Sequence, residues 1–435
     1  GPAGWDPVAE TQCEPGTRWL GPGAWDAVRA WENGAMIELH LDDMAHGGAA
    51  VGRLDGKAHF VDGAMPGERV RGVLARDAGA WAKVDLIDVV DASPQRVDPE
   101  CPHFATCGGC QWQYASRAAQ LEWKRSIVAG QLAHIGGLRE VEVRDTVAPS
   151  APYGYRNRMD FRVVQGRPAL TKRNTRSPVT IDTCAVLHPA GRALFDALGP
   201  MPGTTSLTIR CGAGTGDVLV VVRGEVPPQA GSWEASVAHD VRGRLRTVRG
   251  TPAIEEIVDG HRLRISGTTF FQANTEGAQT LVDLVRAALR PEADDVLLDA
   301  YAGGGLFSVA LGGAVTEVVA VEAAPDSVAD LVHNLEAADA EATVIEGKVE
   351  RVAGAARPEV DLAIVDPPRR GLKTEGVDAI VSLNPRTIAY VSCDPASLAR
   401  DARLLRDEGY ALDHVVPVDM FPQTFHVEAV ARFTR

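Results

Sequence analysis

Residues 266–435 carry four apolar runs of strand length: Val296-Leu297-Leu298, Val318-Val319-Ala320-Val321, Leu362-Ala363-Ile364-Val365 and Ile388-Ala389-Tyr390-Val391. Segments of helical pattern lie between them, as at Ser327–Leu335. A strand that is apolar at every position, not at every second one, is buried on both faces. Strands of this kind alternating with helices predict a parallel sheet covered on both sides. Such a sheet binds its ligands in the crevice at the carboxyl ends of its strands. The residues that follow each run are therefore the candidates for chemistry.

The first run leads into Asp299-Ala300-Tyr301-Ala302-Gly303-Gly304-Gly305. Glycines after a strand let the backbone approach a ligand closely. The second run ends in Glu322, 23 residues after Asp299, where a carboxylate accepts the hydroxyls of a ribose. The Gly-x-Gly-x-x-Gly spacing of a dinucleotide site is not met, so S-adenosylmethionine is the better fit. The third run ends in Asp366-Pro367-Pro368-Arg369, a rigid acidic corner. The fourth ends in Ser392-Cys393-Asp394-Pro395, a cysteine before a proline-led helix. A helix N-terminus favours thiolate, whereas a lone cysteine elsewhere is more often a small core residue. The chain then closes with Phe421-Pro422-Gln423-Thr424-Phe425-His426-Val427-Glu428 before a short strand, Ala429–Phe433.

The remainder divides by pattern. Residues 1–35 hold four of the eight tryptophans and no periodicity, and form an extension of unknown role. Residues 36–94 read as short strands with turns at Gly47-Gly48 and Asp55-Gly56, a small β-barrel. Residues 95–265 open on Cys101-x5-Cys107-x2-Cys110, followed by a helix at Ser116–Ile135 and alternating stretches at Met159–Val163 and Val218–Val222. They predict a central α/β domain with an antiparallel sheet. Three thiols within ten residues, with Gly108-Gly109 between two of them, point to metal ligation; with Cys184, zinc is the generic reading.

The chain has 435 residues, enough for about three domains, and a net charge of −14. That charge disfavours a nucleic-acid partner for the surface as a whole. It is unevenly spread: residues 101–190 hold twelve Lys and Arg against six Asp and Glu, among them Arg156, Arg158, Arg162, Lys172, Arg173 and Arg176. Residues 1–35 lack a basic start followed by an apolar stretch, and no apolar run reaches membrane-spanning length. A cytoplasmic protein with no membrane partner is expected. Seven cysteines in so long a chain fit a reducing compartment.

Six motifs together resemble the RNA uracil-C5 methyltransferases: FFQAN (270–274), DAYAGGG (299–305), VVAVEAAP (318–325), VDPPRRG (365–371), YVSCDP (390–395) and FPQTFHVE (421–428). The stretch AVGRLDGKAHFVDGAMPGERV (50–70) resembles the TRAM domain, an RNA-binding barrel, and CPHFATCGGCQWQ the family's iron–sulfur segment. The resemblance implies a class I (Rossmann-like) methyltransferase domain at 266–435 behind a TRAM barrel at 36–94 and a central domain at 95–265. It implies Cys393 as nucleophile and Glu428 as base. Gln272, Tyr301, Gly303, Glu322 and Asp366 would line the cofactor and base site, and Cys101, Cys107, Cys110 and Cys184 would hold a 4Fe–4S cluster. The appended barrel and cluster resemble the family's 23S ribosomal RNA enzymes more than its simplest transfer RNA enzymes. The pattern is broken at Leu306 and Lys348, where asparagine is usual, which bears on cofactor affinity. At Asp394 it is broken again, and a carboxylate there would raise the thiol pKa by like charge. These breaks and the acidic charge motivate one alternative, a small-molecule C-methyltransferase on the same fold.

Overall fold

The computed structural model describes residues 36–351 and 360–435, so the extension 1–35 lies outside the described residues. Two compact units are present, one made of the described residues up to Asp43 with Ala49–Ser93, the other of Met44–Gly48 with Pro94–Arg435.

The first unit is built on a six-stranded sheet of order β1-β5-β6-β4-β3-β2. The strands are β1 (Met36–His40), β2 (Asp43–Met44), β3 (Ala50–Leu54), β4 (Lys57–Val61), β5 (Arg69–Asp77) and β6 (Trp81–Asp91). One pair, β4 with β6, is parallel. Burial alternates along β5, where Val70 and Gly72 are buried between exposed Arg69 and Arg71, as expected of a sheet with one wet face.

In the second unit, α1 (Arg117–Gln131) is capped by the Ser116 hydroxyl, which accepts from Ala119 N at 3.2 Å. Its last turn widens into a π-turn at Leu132–Gly136. A two-residue strand β7 (Glu142–Val143) follows. Next come β8 (Arg158–Val164), β9 (Arg167–Thr171), β10 (Pro178–Thr180), α2 (Pro189–Ala197), β11 (Thr204–Cys211), β12 (Val218–Gly224), β13 (Ser236–Val241) and β14 (Arg244–Arg249). These seven strands form one sheet of order β10-β9-β8-β11-β12-β13-β14, antiparallel except between β12 and β13. The hairpin β15 (Ala253–Val258) and β16 (His261–Ser266) leads to α3 (Thr275–Leu289).

The chain then alternates: β17 (Val296–Ala300), α4 (Leu306–Gly312), β18 (Glu317–Glu322), α5 (Pro325–Ala337), β19 (Ala342–Glu346), β20 (Leu362–Val365), α6 (Lys373–Val381), β21 (Thr387–Ser392), α7 (Pro395–Asp407), β22 (Ala411–Val418) and β23 (Glu428–Thr434). The sheet order is β19-β18-β17-β20-β21-β23-β22-β7. Successive residues face opposite ways, as the strand period of two requires. Leu298, Ala300, Ile388 and Tyr390 pack with α1, α6 and α7 through Val128, Ile380 and Leu398. Leu297, Ala389 and Val391 pack on the other face with α3, α4 and α5 through Leu281, Phe307 and Leu331.

The all-parallel expectation fails at one strand. β23 lies between β21 and β22, antiparallel to both. The connection from β22 to β23 is nine residues, Asp419–Val427, and a parallel return needs a crossover of about a dozen or more.

Candidate active site at the carboxyl edge of the sheet

The strand register gathers the candidate residues at one edge. Ala300 pairs with Val321 and with Val365, and Val365 with Tyr390. The residues just past these pairs, Tyr301, Glu322, Asp366 and, a little further on, Cys393, thus emerge on one edge. β23 arrives from the opposite direction. Ser392 pairs with Ala429 as the last rung of that ladder; Cys393 and Glu428 are the residues next to that rung, and Glu428 is near enough to act on the thiol.

Burial controls the electrostatics here. Glu428 is 5% exposed; desolvation, then the nearby Asp366, push its pKa up to about 8, against the pull of Arg369 and Lys124. The Cys393 thiol is pushed up to about 12 by burial, then by Glu428 and Asp366, with Arg369 opposing. Desolvation and two carboxyls thus oppose the thiolate that a helix N-terminus favours. Asp394 is the smallest of the groups raising the thiol. Its carboxylate caps α7 by accepting from Ser397 N at 2.8 Å and faces His46 Nε2 at 3.5 Å. The His46 contact holds its own pKa down at about 2. Asp366 is pushed up to about 7 by lost solvation and by Asp299. His426 is pushed down to about 4 by burial and the cations around it.

The other expected residues line the same edge. Gln272 is buried, and its Nε2 donates to Asp366 Oδ2 at 3.5 Å. Tyr301 adopts φ +66°, and its hydroxyl donates to Glu350 at 3.2 Å. Gly303, at φ +57°, donates its N–H to Glu322 Oε2 at 2.9 Å. Glu322 Oε1 accepts from Ala323 N and Ala324 N, both at 2.7 Å. Leu306 opens α4 as part of the core, and Lys348 is exposed.

Several contributors were not singled out from the sequence. Asp299 is fully buried, takes the Ser308 hydroxyl at 2.6 Å on one oxygen, and is pushed up to about 7 chiefly by burial. Asn157, from the central sheet, donates to the carbonyl of Gln272 at 3.0 Å and to Thr275 at 2.9 Å. Lys124 and Asp419 form a wholly buried ion pair beneath the loop that carries His426. Asp299 stood within a recognised motif. Asn157 and Lys124 offered no local signal, since their partners lie more than a hundred residues away.

The four expected metal-binding cysteines line one cavity of about 270 Å³, together with Phe104, Tyr155 and Met159 among others. Gly108 packs closely there: a Cβ would meet the carbonyl of Thr171 at 3.1 Å, a tight contact. Burial pushes Cys107 and Cys184 up, and Cys110 to about 12. Among the described residues, no three His, Cys, Asp or Glu side chains converge closely enough to chelate one ion. Cys211 is buried apart from this cavity, against α2. The basic segment is partly diverted to structure. Arg173 donates to the carbonyls of Phe104 and Cys110 and stacks on Phe104, whereas Arg162, Lys172 and Arg176 are exposed.

The family model described as tRNA (uracil-5-)-methyltransferase matches residues 257–435. An uncharacterised RNA methyltransferase of Thermosynechococcus vestitus is 34% identical over 94% of this chain and all of its own length. Another, from Streptomyces avermitilis, is 34% identical over 92% of this chain and 98% of its own. The crystal structure of Pyrococcus abyssi tRNA (uracil-54, C5)-methyltransferase in complex with S-adenosyl-L-homocysteine superposes with a TM-score of 0.74 at 26% identity, covering 92% of this chain and 100% of that one. The fold is similar to that of a uracil-C5 methyltransferase, and the protein is an S-adenosylmethionine-dependent RNA methyltransferase. The chain belongs to the RNA uracil-C5 methyltransferases. Among the described residues, no helix is long and apolar enough to cross a membrane.

Proposed function

We propose that this enzyme methylates carbon 5 of one uridine in a folded RNA, 23S ribosomal RNA being the expected substrate, through a covalent bond from Cys393 to carbon 6. The observation that carries the reading is that Cys393 and Glu428 adjoin the last rung of the β21–β23 ladder, with Glu428 acting on the thiol. S-adenosylmethionine, when bound, supplies an electrophilic methyl group; Gln272, Tyr301, Gly303, Glu322 and Asp366 are the residues assigned to its site and to the base. Carbon 5 of uracil is too weak a nucleophile to take that methyl unaided. The Cys393 thiol gives up its proton to solvent and the sulfur adds to carbon 6, which turns the ring into an enolate that is nucleophilic at carbon 5. After the transfer, the Glu428 carboxylate removes the carbon 5 proton, the carbon 5–carbon 6 double bond re-forms, and the sulfur leaves. A base with a raised pKa is the stronger proton acceptor, which suits Glu428 to this step. The uridine must leave its stack to reach the edge.

The six-stranded sheet at 36–94 is assigned as a TRAM barrel, 95–265 as the central domain and 266–435 as the methyltransferase domain. The cysteine cavity fits a 4Fe–4S cluster. Four thiols around one space, Cys184 buried and the other three partly so, match an all-cysteine donor set. Cys101, Cys107, Cys110 and Cys184 would hold the cluster, whose role there is structural.

A second reading, transfer RNA as substrate, is favoured by the P. abyssi likeness. That match covers 92% of this chain, whereas the barrel and the cysteine segment resemble those of the family's 23S ribosomal RNA enzymes. Incubation of the full chain with 23S ribosomal RNA and with transfer RNA, using labelled S-adenosylmethionine, decides. Mass mapping should find 5-methyluridine at one site in the ribosomal RNA. Label only in transfer RNA would support the second reading, and label on another atom would refute both.

A further inference from the structure

The loop that delivers Glu428 is held largely from outside: its own hydrogen bonds centre on Thr424, whose N and Oγ1 donate to Phe421 O at 3.3 and 2.9 Å and whose Oγ1 accepts from His426 N at 3.3 Å. Between Met420 and Gln423, four successive carbonyls accept from other elements. Asn274 Nδ2 donates to Met420 O at 3.1 Å, Lys124 Nζ to Phe421 O at 3.0 Å, and the Tyr155 hydroxyl to Pro422 O at 3.0 Å. The amides of Gln111 and Trp112 both donate to Gln423 O at 2.9 Å. Gln120, buried on α1, grips Gln423 twice: its Oε1 accepts from Gln423 N and its Nε2 donates to Gln423 Oε1, each at 3.0 Å. The same Nε2 is tied to Ala115 O at 2.9 Å, which fixes the amide's orientation.

Gln423 itself sits at φ +69°, a left-handed conformation that a non-glycine residue keeps only where its surroundings over-determine it. Three of the groups holding it, from Gln111, Trp112 and Gln120, belong to the segment that directly follows Cys110. Five residues further on, Glu428 begins β23.

We propose that Gln120, with the Gln111 and Trp112 amides, is a clamp on Gln423 that positions Glu428 for proton removal, making Gln120 a positioning residue for the elimination step. The proposal rests on Glu428 being the base. Cys393 lies on a different element, at the junction of β21 and α7, so the clamp bears on elimination and not on the addition that precedes it.

The test compares Gln120→Met with wild type in the full chain. Gln120→Met should bind RNA and form the Cys393 adduct within about twofold of wild type. It should release methylated RNA about ten- to a hundredfold more slowly, the penalty of misplacing a catalytic group by about 1 Å. A labelled protein–RNA complex that survives denaturing electrophoresis should accumulate. Gln423→Ala, which leaves α1 intact, should trap the same complex should Gln120→Met fold poorly. Wild-type release by both Gln120→Met and Gln423→Ala would overturn the clamp. So would equal loss of every step in proportion to folded protein. If wild-type enzyme forms no adduct with RNA containing 5-fluorouridine, the covalent reading itself falls, and the clamp with it.

Discussion

Glu428→Gln should make the Cys393 thiol more acidic while abolishing turnover. In the folded protein the thiol is held up at about 12 by burial and then by Glu428. Above pH 8 the Glu428 carboxyl is mostly ionised, since its own pKa lies at about 8. Cross-strand neighbours stand about 5 Å apart. Two unit charges at that separation repel by about 3 kcal/mol at an effective dielectric constant of about 20. Cys393 is only partly shielded from solvent, so roughly half of that is a fair expectation, or about one pKa unit. Glutamine keeps the shape and removes the charge. Between pH 9 and 10.5, alkylation of Cys393 by iodoacetamide should therefore run about tenfold faster in the variant, since the thiolate is the reacting species. Peptide mass analysis over a pH series reads this directly. Coincident profiles for the two proteins would mean that Glu428 does not face the thiol and would remove the basis for pairing them in one mechanism.

The same variant has a stability signature. A carboxyl whose folded pKa is raised binds its proton more tightly when folded, so stability falls as pH rises from the unfolded value of 4.5 towards 8. Glu428→Gln should raise the Tm at pH 8 and leave it nearly unchanged at pH 5; equal shifts at both would refute this. Lys124→Met should destabilise by about 3–5 kcal/mol, because it strands Asp419 in a wholly buried site with Arg117 as its remaining cation, as denaturant titration would report. Anaerobically purified protein should be brown with about four irons per chain, and Cys184→Ala should lose both; stoichiometric zinc without sulfide would contradict it. RNA affinity should fall steeply with salt and, in Lys172→Glu with Arg176→Glu, fall alike for all RNAs. Arg173→Glu should instead disturb the cysteine segment, whose carbonyls it holds; binding insensitive to salt would speak against phosphate contacts.

Much of the fold was legible along the chain because it depends on local pattern. Fully apolar runs such as Leu362–Val365 announce strands buried on both faces, and Ser116 and Asp394 announce helix starts through their caps. The residues at the strand ends could be assembled into a site because a parallel sheet has one ligand-binding edge. Cysteine spacing singled out Cys101, Cys107 and Cys110 for the same reason: it is a short-range signal.

What the sequence by itself could not decide is which distant segments meet, and that is where the chemistry is set. Nothing local to Glu428 says that β23 enters between β21 and β22 from the opposite direction; a nine-residue connection and the long-range ladder decide it, and with it the nearness to Cys393. The high pKa values of Cys393, Glu428, Asp366 and Asp299 come from desolvation by side chains far apart in the chain. Lys124, Gln120 and Asn157 look like ordinary polar residues in their own segments, and only tertiary packing buries them against partners 115 to 303 residues away. Periodicity is written in neighbours, whereas register, burial and charge proximity belong to the folded chain as a whole.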